Sequence, residues 1–184
     1  MKKIKTKKTL DKVDRFIISE LLKDGRTKYT TLAKKLGVTP AAIKERFERL
    51  ISKNVLRVGP LINTQIFYPV TATIGIETDT EGANILIKKL RNCPLVFNLF
   101  KTSGIHNLII SFVGKTLEDI EEFINKQIRI EPGIKHIEVN IGNAPIVPEF
   151  IQLKLMYSKN QDYTPCGLRK IDEMRCLNCP ALEK

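Results

Sequence analysis

The sequence of 184 residues contains no tryptophan, only two histidines, and no run of the roughly 18 to 20 apolar residues that a membrane helix needs. A membrane-spanning helix is therefore not expected. The lysine-rich N-terminus is not followed by the apolar stretch of a secretory signal, so we expect a cytoplasmic protein. Because 42% of the residues are apolar, the chain can build the core of one large domain or of two small ones.

The sequence also lacks the residue groupings that organise a reaction. It shows no nucleophile beside a partnered base, no glycine-rich phosphate loop, and no pair of carboxylates grouped with a histidine. We therefore expect no catalytic residues, and a protein that is not an enzyme.

The excess of basic residues is confined to the first third of the chain. Residues 1–60 carry 17 Lys and Arg against 6 Asp and Glu, a net charge of +11, whereas residues 61–184 carry 14 of each kind. A basic segment joined to a neutral one indicates a polyanion-binding module attached to a module with another task. A solubilising surface, the alternative, would explain the sign of the charge but not its segregation.

Three amphipathic helices are predicted in the basic segment. Apolar residues recur at three- and four-residue steps from Leu10 to Leu21, and Asp24-Gly25 ends this helix. A second helix is predicted to begin at Thr30 or Thr31 and to end before Gly37. A third follows a Thr39 cap and Pro40. Its predicted buried stripe consists of Ile43, Phe47, Leu50 and Ile51. This organisation is typical of a helix-turn-helix.

The exposed face of the third helix is the predicted DNA-reading surface. Ala41 and Ala42 would let the helix approach base edges closely, and Glu45 can accept a hydrogen bond from a cytosine amine. Arg46 and Arg49 can reach guanine or phosphate. A solvated face with incidental arginines is the alternative. The predicted DNA-binding residues are Thr30, Lys34, Thr39, Ala41, Ala42, Lys44, Glu45, Arg46, Arg49 and Arg57.

A wing is predicted after the third helix. Residues 56–58 and 61–62 are apolar and flank Gly59-Pro60, a pattern that favours a short hairpin on which Arg57 would meet phosphate. The DNA-binding domain would then span residues 10–58, and a linker strand would follow over residues 59–69. The lysines of the basic tail, residues 1–9, either add sequence-independent affinity through counterion release or are merely solvated.

Residues 70–144 predict a second domain in the order strand, helix, strand, strand, helix, strand. In the first strand, apolar residues alternate with other residues from Val70 to Ile76. In the last strand, they alternate with polar residues from Ile137 to Ile141. This βαββαβ order predicts a ferredoxin-like sheet, so the chain as a whole is expected to be α+β. Since the helices cover only one face of such a sheet, the other face favours a dimer interface.

Short motifs distributed over residues 10–142 carry a family resemblance. They are Leu10-Asp11-Lys12-Val13-Asp14-Arg15, Asp24-Gly25-Arg26, the run 32–40, Arg46-Phe47-Glu48-Arg49-Leu50, Tyr68-Pro69-Val70-Thr71-Ala72, Thr102-Ser103-Gly104 and Glu131-Pro132-Gly133-Ile134. In this order they resemble the leucine-responsive regulatory protein/AsnC family of transcription regulators, also called feast/famine regulators. The resemblance implies a winged helix-turn-helix joined to a RAM domain. It also implies assembly into dimers, tetramers or octamers, and amino-acid effectors bound at the hairpin loop.

That hairpin loop departs from the pattern of the family, which commonly reads Thr-Gly-x-Tyr-Asp. The corresponding residues here, which are the predicted effector-binding residues, are Ser103, Gly104, Ile105, His106 and Asn107. The neutral amide of Asn107 can accept a hydrogen bond from an ammonium group, but this bond is weaker than the charge-assisted one that the family's carboxylate would form. We therefore expect the usual amino-acid pocket to be altered or unused.

Residues 145–184 form a C-terminal extension with a cysteine cluster. Cys176 and Cys179 have the spacing of two ligands of one tetrahedral metal, and Cys166 is a candidate third ligand. Zinc would need a fourth ligand from elsewhere. An iron–sulfur cluster, a reversible disulfide and inert thiols are the alternatives.

The function expected from these features is sequence-specific regulation of transcription by a homo-oligomer that binds double-stranded DNA. Modulation by an amino acid, or by the metal or redox state of the extension, is a further expectation. An architectural, nucleoid-associated role is the nearer alternative because it uses the same residues. A sirohaem decarboxylase-like enzyme with this layout is the remote one, because clustered histidines and a neutral or acidic first domain would be needed.

Overall fold

The computed structural model describes residues 10–153. The chain divides into two units, one ending at Gly59 and one beginning at Pro60. Each unit has its own hydrophobic core, and each is described by itself.

The first unit consists of three helices, α1 (Lys12–Lys23), α2 (Tyr29–Leu36) and α3 (Pro40–Ser52). Their shared core contains the fully buried side chains of Ile17, Leu32 and Ile43. α2 begins one residue before the earliest predicted start. The prediction that Ile51 is buried is wrong: its side chain is exposed, because the third helix ends its contact with the core at Leu50.

The turn between α2 and α3 follows the predicted pattern. Gly37 has φ +65°, a left-handed conformation that glycine adopts without a steric penalty. The Thr39 hydroxyl accepts a hydrogen bond from the backbone N–H of Ala42, and Pro40 occupies the first position of α3, where a missing N–H costs nothing. The helix-turn-helix is therefore confirmed.

The prediction of a wing hairpin is wrong. Residues 56–61 form no strand, and Ile62–Asn63 forms a short strand, β1, that pairs with Phe150–Ile151, called β6 below. The partner of β1 lies almost ninety positions along the chain, so local patterning around Gly59-Pro60 could not identify it. The predicted linker strand is also interrupted, because Thr64–Phe67 forms a short helix, α4, capped by Asn63.

The second unit is built on a four-stranded antiparallel sheet. Its strands are β2 (Val70–Thr78), β3 (Val96–Lys101), β4 (Leu108–Gly114) and β5 (Ile134–Asn143), in the spatial order β3-β4-β2-β5. The helices between them are α5 (Thr80–Leu90) and α6 (Leu117–Phe123), and a π-helical turn at Ile124–Ile128 continues α6. The predicted ferredoxin-like βαββαβ order is confirmed.

One face of this sheet holds the core. The side chains of Ile74, Ile110 and Phe112 are buried there together with Leu86 of α5 and Ile120 of α6. The opposite face carries Thr73, Ser111, Phe100 and Glu138. The register of the strands places these residues on one side. Thr73 pairs with Ser111, Gly75 pairs with both Ile109 and Glu138, and Ile109 pairs in turn with Phe100. We call this side the open face.

β6 extends the second unit beyond the predicted end of its domain. Ile151 is buried, and the Asn63 side chain donates a hydrogen bond to a carboxylate oxygen of Glu149 at 3.1 Å. The first residues of the predicted C-terminal extension therefore belong to the fold. Within the described residues no helix is long and apolar enough to cross a membrane.

Candidate nucleic-acid interface

The outer face of α3 presents small and polar side chains. Ala41, Lys44, Glu45 and Glu48 are exposed, and Ala42 is partly buried. The Nζ atom of Lys44 lies 3.8 Å from the Oε1 atom of Glu48. An α-helix fits the major groove, and small residues in its first turn permit a close approach to base edges. The geometry is therefore suited to DNA reading.

Arg46 and Arg49 lie on the side of α3 that contacts α1. Nη1 of Arg46 donates hydrogen bonds to Asp11 at 2.6 Å and to Asp14 at 3.0 Å, and Nη2 of Arg49 donates to the same Asp14 oxygen at 2.7 Å. Asp14 is only 6% exposed. Two arginines thus share one buried carboxylate, and the ion pairs attach the candidate reading helix to α1.

The charges of this network reinforce one another. The hydrogen bond from Arg46, helped by the backbone N–H of Asp14, lowers the pKa of Asp11. The same carboxylate, with a contribution from Asp14, raises the pKa of Arg46. Direct DNA contact by Arg46 and Arg49 stays a prediction, and the structure gives both a second role in positioning α3.

This network was not predicted from the sequence, although the matched spacing of its acidic and basic residues could have indicated it. Asp11 is the N-cap of α1 and Asp14 lies three residues later in its first turn, and Arg46 and Arg49 are three residues apart on α3. Matched spacings of opposite charge place each pair on one helical face. Only the packing of α1 against α3 shows that the faces meet.

The other predicted DNA contacts have simpler surroundings. Thr30 and Lys34 are exposed on α2, and Arg57 is exposed in the segment after α3. Thr39 is exposed as well, but its hydroxyl oxygen is already used as the cap of α3. The structure therefore presents these residues to solvent, and their contact with DNA stays a prediction.

The predicted effector loop joins β3 to β4. Ser103, Gly104 and Ile105 are exposed, while the Thr102 hydroxyl donates to the backbone oxygen of His106. Asn107 points to the end of β2. Its Oδ1 accepts from the N–H of Thr78 at 3.2 Å, and its Nδ2 donates to the Thr78 carbonyl at 2.6 Å.

His106 lies over Gly75 on the open face. A Cβ atom at position 75 would lie only 2.7 Å from the imidazole, so the ring occupies space that glycine leaves. The ring stacks on that of His136 with a centroid separation of 5.6 Å, and its Nδ1 lies 3.6 Å from a carboxylate oxygen of Glu138. No sequence pattern predicts this pairing, because the two histidines are thirty residues apart.

The candidate metal ligands Cys166, Cys176 and Cys179 lie outside the described residues, as does the basic tail. Between residues 10 and 153, no group of three or more His, Cys, Asp or Glu is arranged to hold a metal ion. The predicted zinc or iron–sulfur site therefore stays a prediction.

These features define a class: a helix-turn-helix module followed by a ferredoxin-like sheet domain. Sequence profiles agree, since the AsnC-type helix-turn-helix domain matches residues 10–51 and the Lrp/AsnC ligand binding domain matches residues 71–143. An uncharacterized HTH-type transcriptional regulator of Pyrococcus furiosus is 33% identical over 123 residues, which are 64% of this chain and 79% of the relative. The chain belongs to the Lrp/AsnC family of transcription regulators.

Further comparisons support this assignment. The HTH-type transcriptional regulator LrpA of Pyrococcus horikoshii is 27% identical over 133 residues, covering 70% of this chain and 92% of the relative. The structure of E. coli AsnC superposes with a TM-score of 0.63 at 24% identity, covering 73% and 92% of the two chains, and shows the same fold. These and other relatives are named as regulators, which agrees with the family assignment.

Proposed function

We propose that the protein regulates transcription by binding specific sequences of double-stranded DNA through the outer face of α3. The observation that carries this proposal is the contrast between the two sides of the helix. Ile43 and Leu50 fix one side in the core, whereas Ala41, Lys44 and Glu45 stand exposed on the other. A rigidly seated helix with a small, polar outer face can enter the major groove and contact base edges.

A salt-titrated binding assay against genomic fragments, including the protein's own promoter, tests this proposal. We expect a preference of about a thousandfold or more for particular fragments over random DNA. Ala41→Glu should reduce this preference at least about tenfold, because a longer, anionic side chain separates the helix from the bases. Thr80→Glu, which adds the same charge in the second unit, serves as the control. Equal affinity for all fragments would favour the nucleoid-associated alternative instead.

The open face of the sheet supports the proposal of a homo-oligomer. Phe100 is 46% exposed on this face, beside the polar pair Thr73 and Ser111, whose hydroxyl oxygens lie 3.2 Å apart. His106 contributes a buried Nε2 atom that has no hydrogen-bond partner within residues 10–153. A second copy placed on this face would cover the exposed ring and supply polar partners, because a two-fold interface brings the same patch of both copies together.

Sedimentation of paired variants tests the assembly. Phe100→Asp should shift the dimer toward monomer, since a charge placed in an apolar contact is costly to bury. Leu117→Asp is the matched control, because Leu117 is 47% exposed but lies at the start of α6, away from the open face. Identical sedimentation of both variants and the unaltered protein would contradict the proposed interface.

A further inference from the structure

A polar cleft in the first unit lies where α1 ends and α2 begins. It has a volume of about 550 Å³. Its lining contains no apolar residue and consists of Glu20, Lys23, Asp24, Arg26, Thr27, Lys28, Thr31 and Lys35. None of these residues is among the predicted DNA contacts. The cleft is therefore a charged surface that the outer face of α3 does not include.

The lining contains four cationic side chains, and two of them, Lys23 and Lys35, are partly neutralised by Glu20. Glu20 is 8% exposed and accepts hydrogen bonds from Lys23, at 2.7 Å, and from Lys35. These two hydrogen bonds lower the pKa of Glu20 to about 2, so its carboxylate is ionised at neutral pH. Both lysine side chains are nevertheless more than half exposed. They are held at the cleft with their ammonium groups accessible.

The other two cations have no carboxylate partner within residues 10–153. Arg26 and Lys28 are exposed, and Asp24, the second acid of the cleft, uses one oxygen to accept from the backbone N–H of Arg26 at 2.8 Å. Four cations against two carboxylates leave the cleft with a net charge of +2. Lys28 also occupies the N-cap position of α2, which begins at Tyr29, and makes no side-chain cap hydrogen bond there. The cleft is therefore suited to an anion.

We propose that this cleft binds a phosphate group of the DNA backbone, with Arg26 and Lys28 as the principal contacts. The absence of apolar and aromatic residues from the lining argues against a nucleotide or another small effector, because such sites bury the ligand mostly among side chains of these kinds. A backbone phosphate needs only cations and hydrogen-bond donors. α2 also carries Thr30 and Lys34, which are predicted DNA contacts. The inference rests on the proposed DNA binding and adds a second contact region outside α3.

The test compares two double variants of the full-length protein that remove the same charge. Arg26→Gln with Lys28→Gln alters the cleft, whereas Lys12→Gln with Arg15→Gln alters exposed residues at the opposite end of α1. Binding to specific and to random duplexes is measured over a range of salt concentrations. Thermal unfolding of each variant checks that the first unit remains folded. We expect it to remain folded, because all four substituted side chains are exposed.

The cleft variant should bind both duplexes more weakly and to the same extent, by about tenfold or more near physiological salt, because phosphate contacts carry no sequence information. The slope of log affinity against log salt should become shallower by about 0.9 for each phosphate that the variant no longer neutralises. The control variant, which loses the same charge but leaves the cleft intact, should lose several-fold less affinity than the cleft variant, since an exposed charge that contacts no phosphate acts on the DNA only through screening solvent. Equal behaviour of the two variants would overturn the cleft proposal.

The outcomes separate this inference from the proposed function. If the unaltered protein prefers its own site and the cleft variant matches the control, the cleft proposal fails and sequence-specific regulation stands. If no fragment is preferred but the cleft variant alone loses affinity, the regulator proposal fails and the cleft proposal stands. A free phosphate compound is the other source of the same chemistry. Saturable shifts of the Arg26 and Lys28 amide resonances with tripolyphosphate, together with an unchanged salt slope for DNA, would overturn the DNA assignment.

Discussion

The side-chain amide of Asn107 is hydrogen bonded to both backbone polar atoms of Thr78. The amide thereby continues the ladder between β2 and β4 past its last backbone pair, Ile76 with Leu108. A side-chain amide can donate and accept at once, whereas an ionised carboxylate can only accept. Asn107, which stands where the family commonly has an acid, therefore ties the end of the loop to β2. Because both of its amide atoms bond to Thr78, the amide points away from the exposed part of the loop.

A substitution at this position tests that use. Asn107→Asp should lower the free energy of unfolding by about 1–3 kcal/mol, because a carboxylate oxygen would face the Thr78 carbonyl and the carbonyl would lose its donor. Asn107→Ala should give a loss of similar size. Urea denaturation measures both, with Ser103→Ala in the exposed part of the loop as the control. An Asn107→Asp protein as stable as the original would show that the two hydrogen bonds contribute nothing.

The same arrangement leads to a prediction about effectors. Because Asn107 is engaged with Thr78 and carries no charge, we expect none of the twenty amino acids to bind tightly at this loop. Calorimetry with each amino acid on the metal-free, reduced protein provides the measurement. Tight binding of any one of them, abolished by a substitution at Ser103 or His106, would show that the loop still holds an amino-acid effector.

The sequence predicted those parts of the fold that depend on neighbours along the chain. The start of α3 was predictable because a Thr cap and a Pro at the first position act within one turn, and β2 was predictable because its apolar residues alternate. The partner of β1 was not, since β6 lies far along the chain and only two residues of each strand pair. The packing of Asp14 against Arg46 and Arg49 was missed for a related reason: the helical wheel defines a face but not what covers it.

The shared carboxylate of Asp14 should matter for both stability and DNA recognition. Asp14→Asn leaves two arginines without their buried partner and is expected to destabilise the first unit by about 1–2 kcal/mol, less than a fully buried pair because both arginines are partly exposed. Thermal unfolding and DNA binding are measured together. The preference for specific over random DNA should fall even at temperatures where the variant is fully folded.

Two further variants separate the effect on stability from the effect on DNA binding. Asp11→Asn removes only the more exposed partner of Arg46 and should have a smaller effect on unfolding than Asp14→Asn. Lys44→Ala should weaken DNA binding with little change in the unfolding temperature, because Lys44 is exposed and its ion pair with Glu48, at 3.8 Å, is also exposed. An Asp14→Asn protein with unchanged specificity would limit the role of the network to holding the helices together.

Acid should destabilise the first unit in part through Glu20. The pKa of Glu20 is lowered from its ordinary 4.5 to about 2 by hydrogen bonds from Lys23 and Lys35. The unfolded chain therefore binds more protons than the folded one between these values, so this contribution to stability is complete above about pH 4.5 and is lost as the pH falls toward 2. Urea denaturation at a series of pH values should show a shallower decline for Glu20→Gln than for the unaltered protein. Parallel curves would mean that the two lysines do not favour the ionised carboxylate.

The pairing of β6 with β1 makes a piece of the C-terminal extension part of the second unit, outside the matched ligand-binding domain. Ile151 is 5% exposed, whereas its neighbour Phe150 is half exposed on the same two-residue strand. Ile151→Ala should therefore lower the free energy of unfolding of the second unit by about 2 kcal/mol or more, because less apolar surface is buried and a cavity remains. Phe150→Ala removes a larger side chain but should cost less. If the two substitutions cost the same, or if removing residues 145–184 leaves the unfolding of the sheet domain unchanged, then β6 does not stabilise the fold.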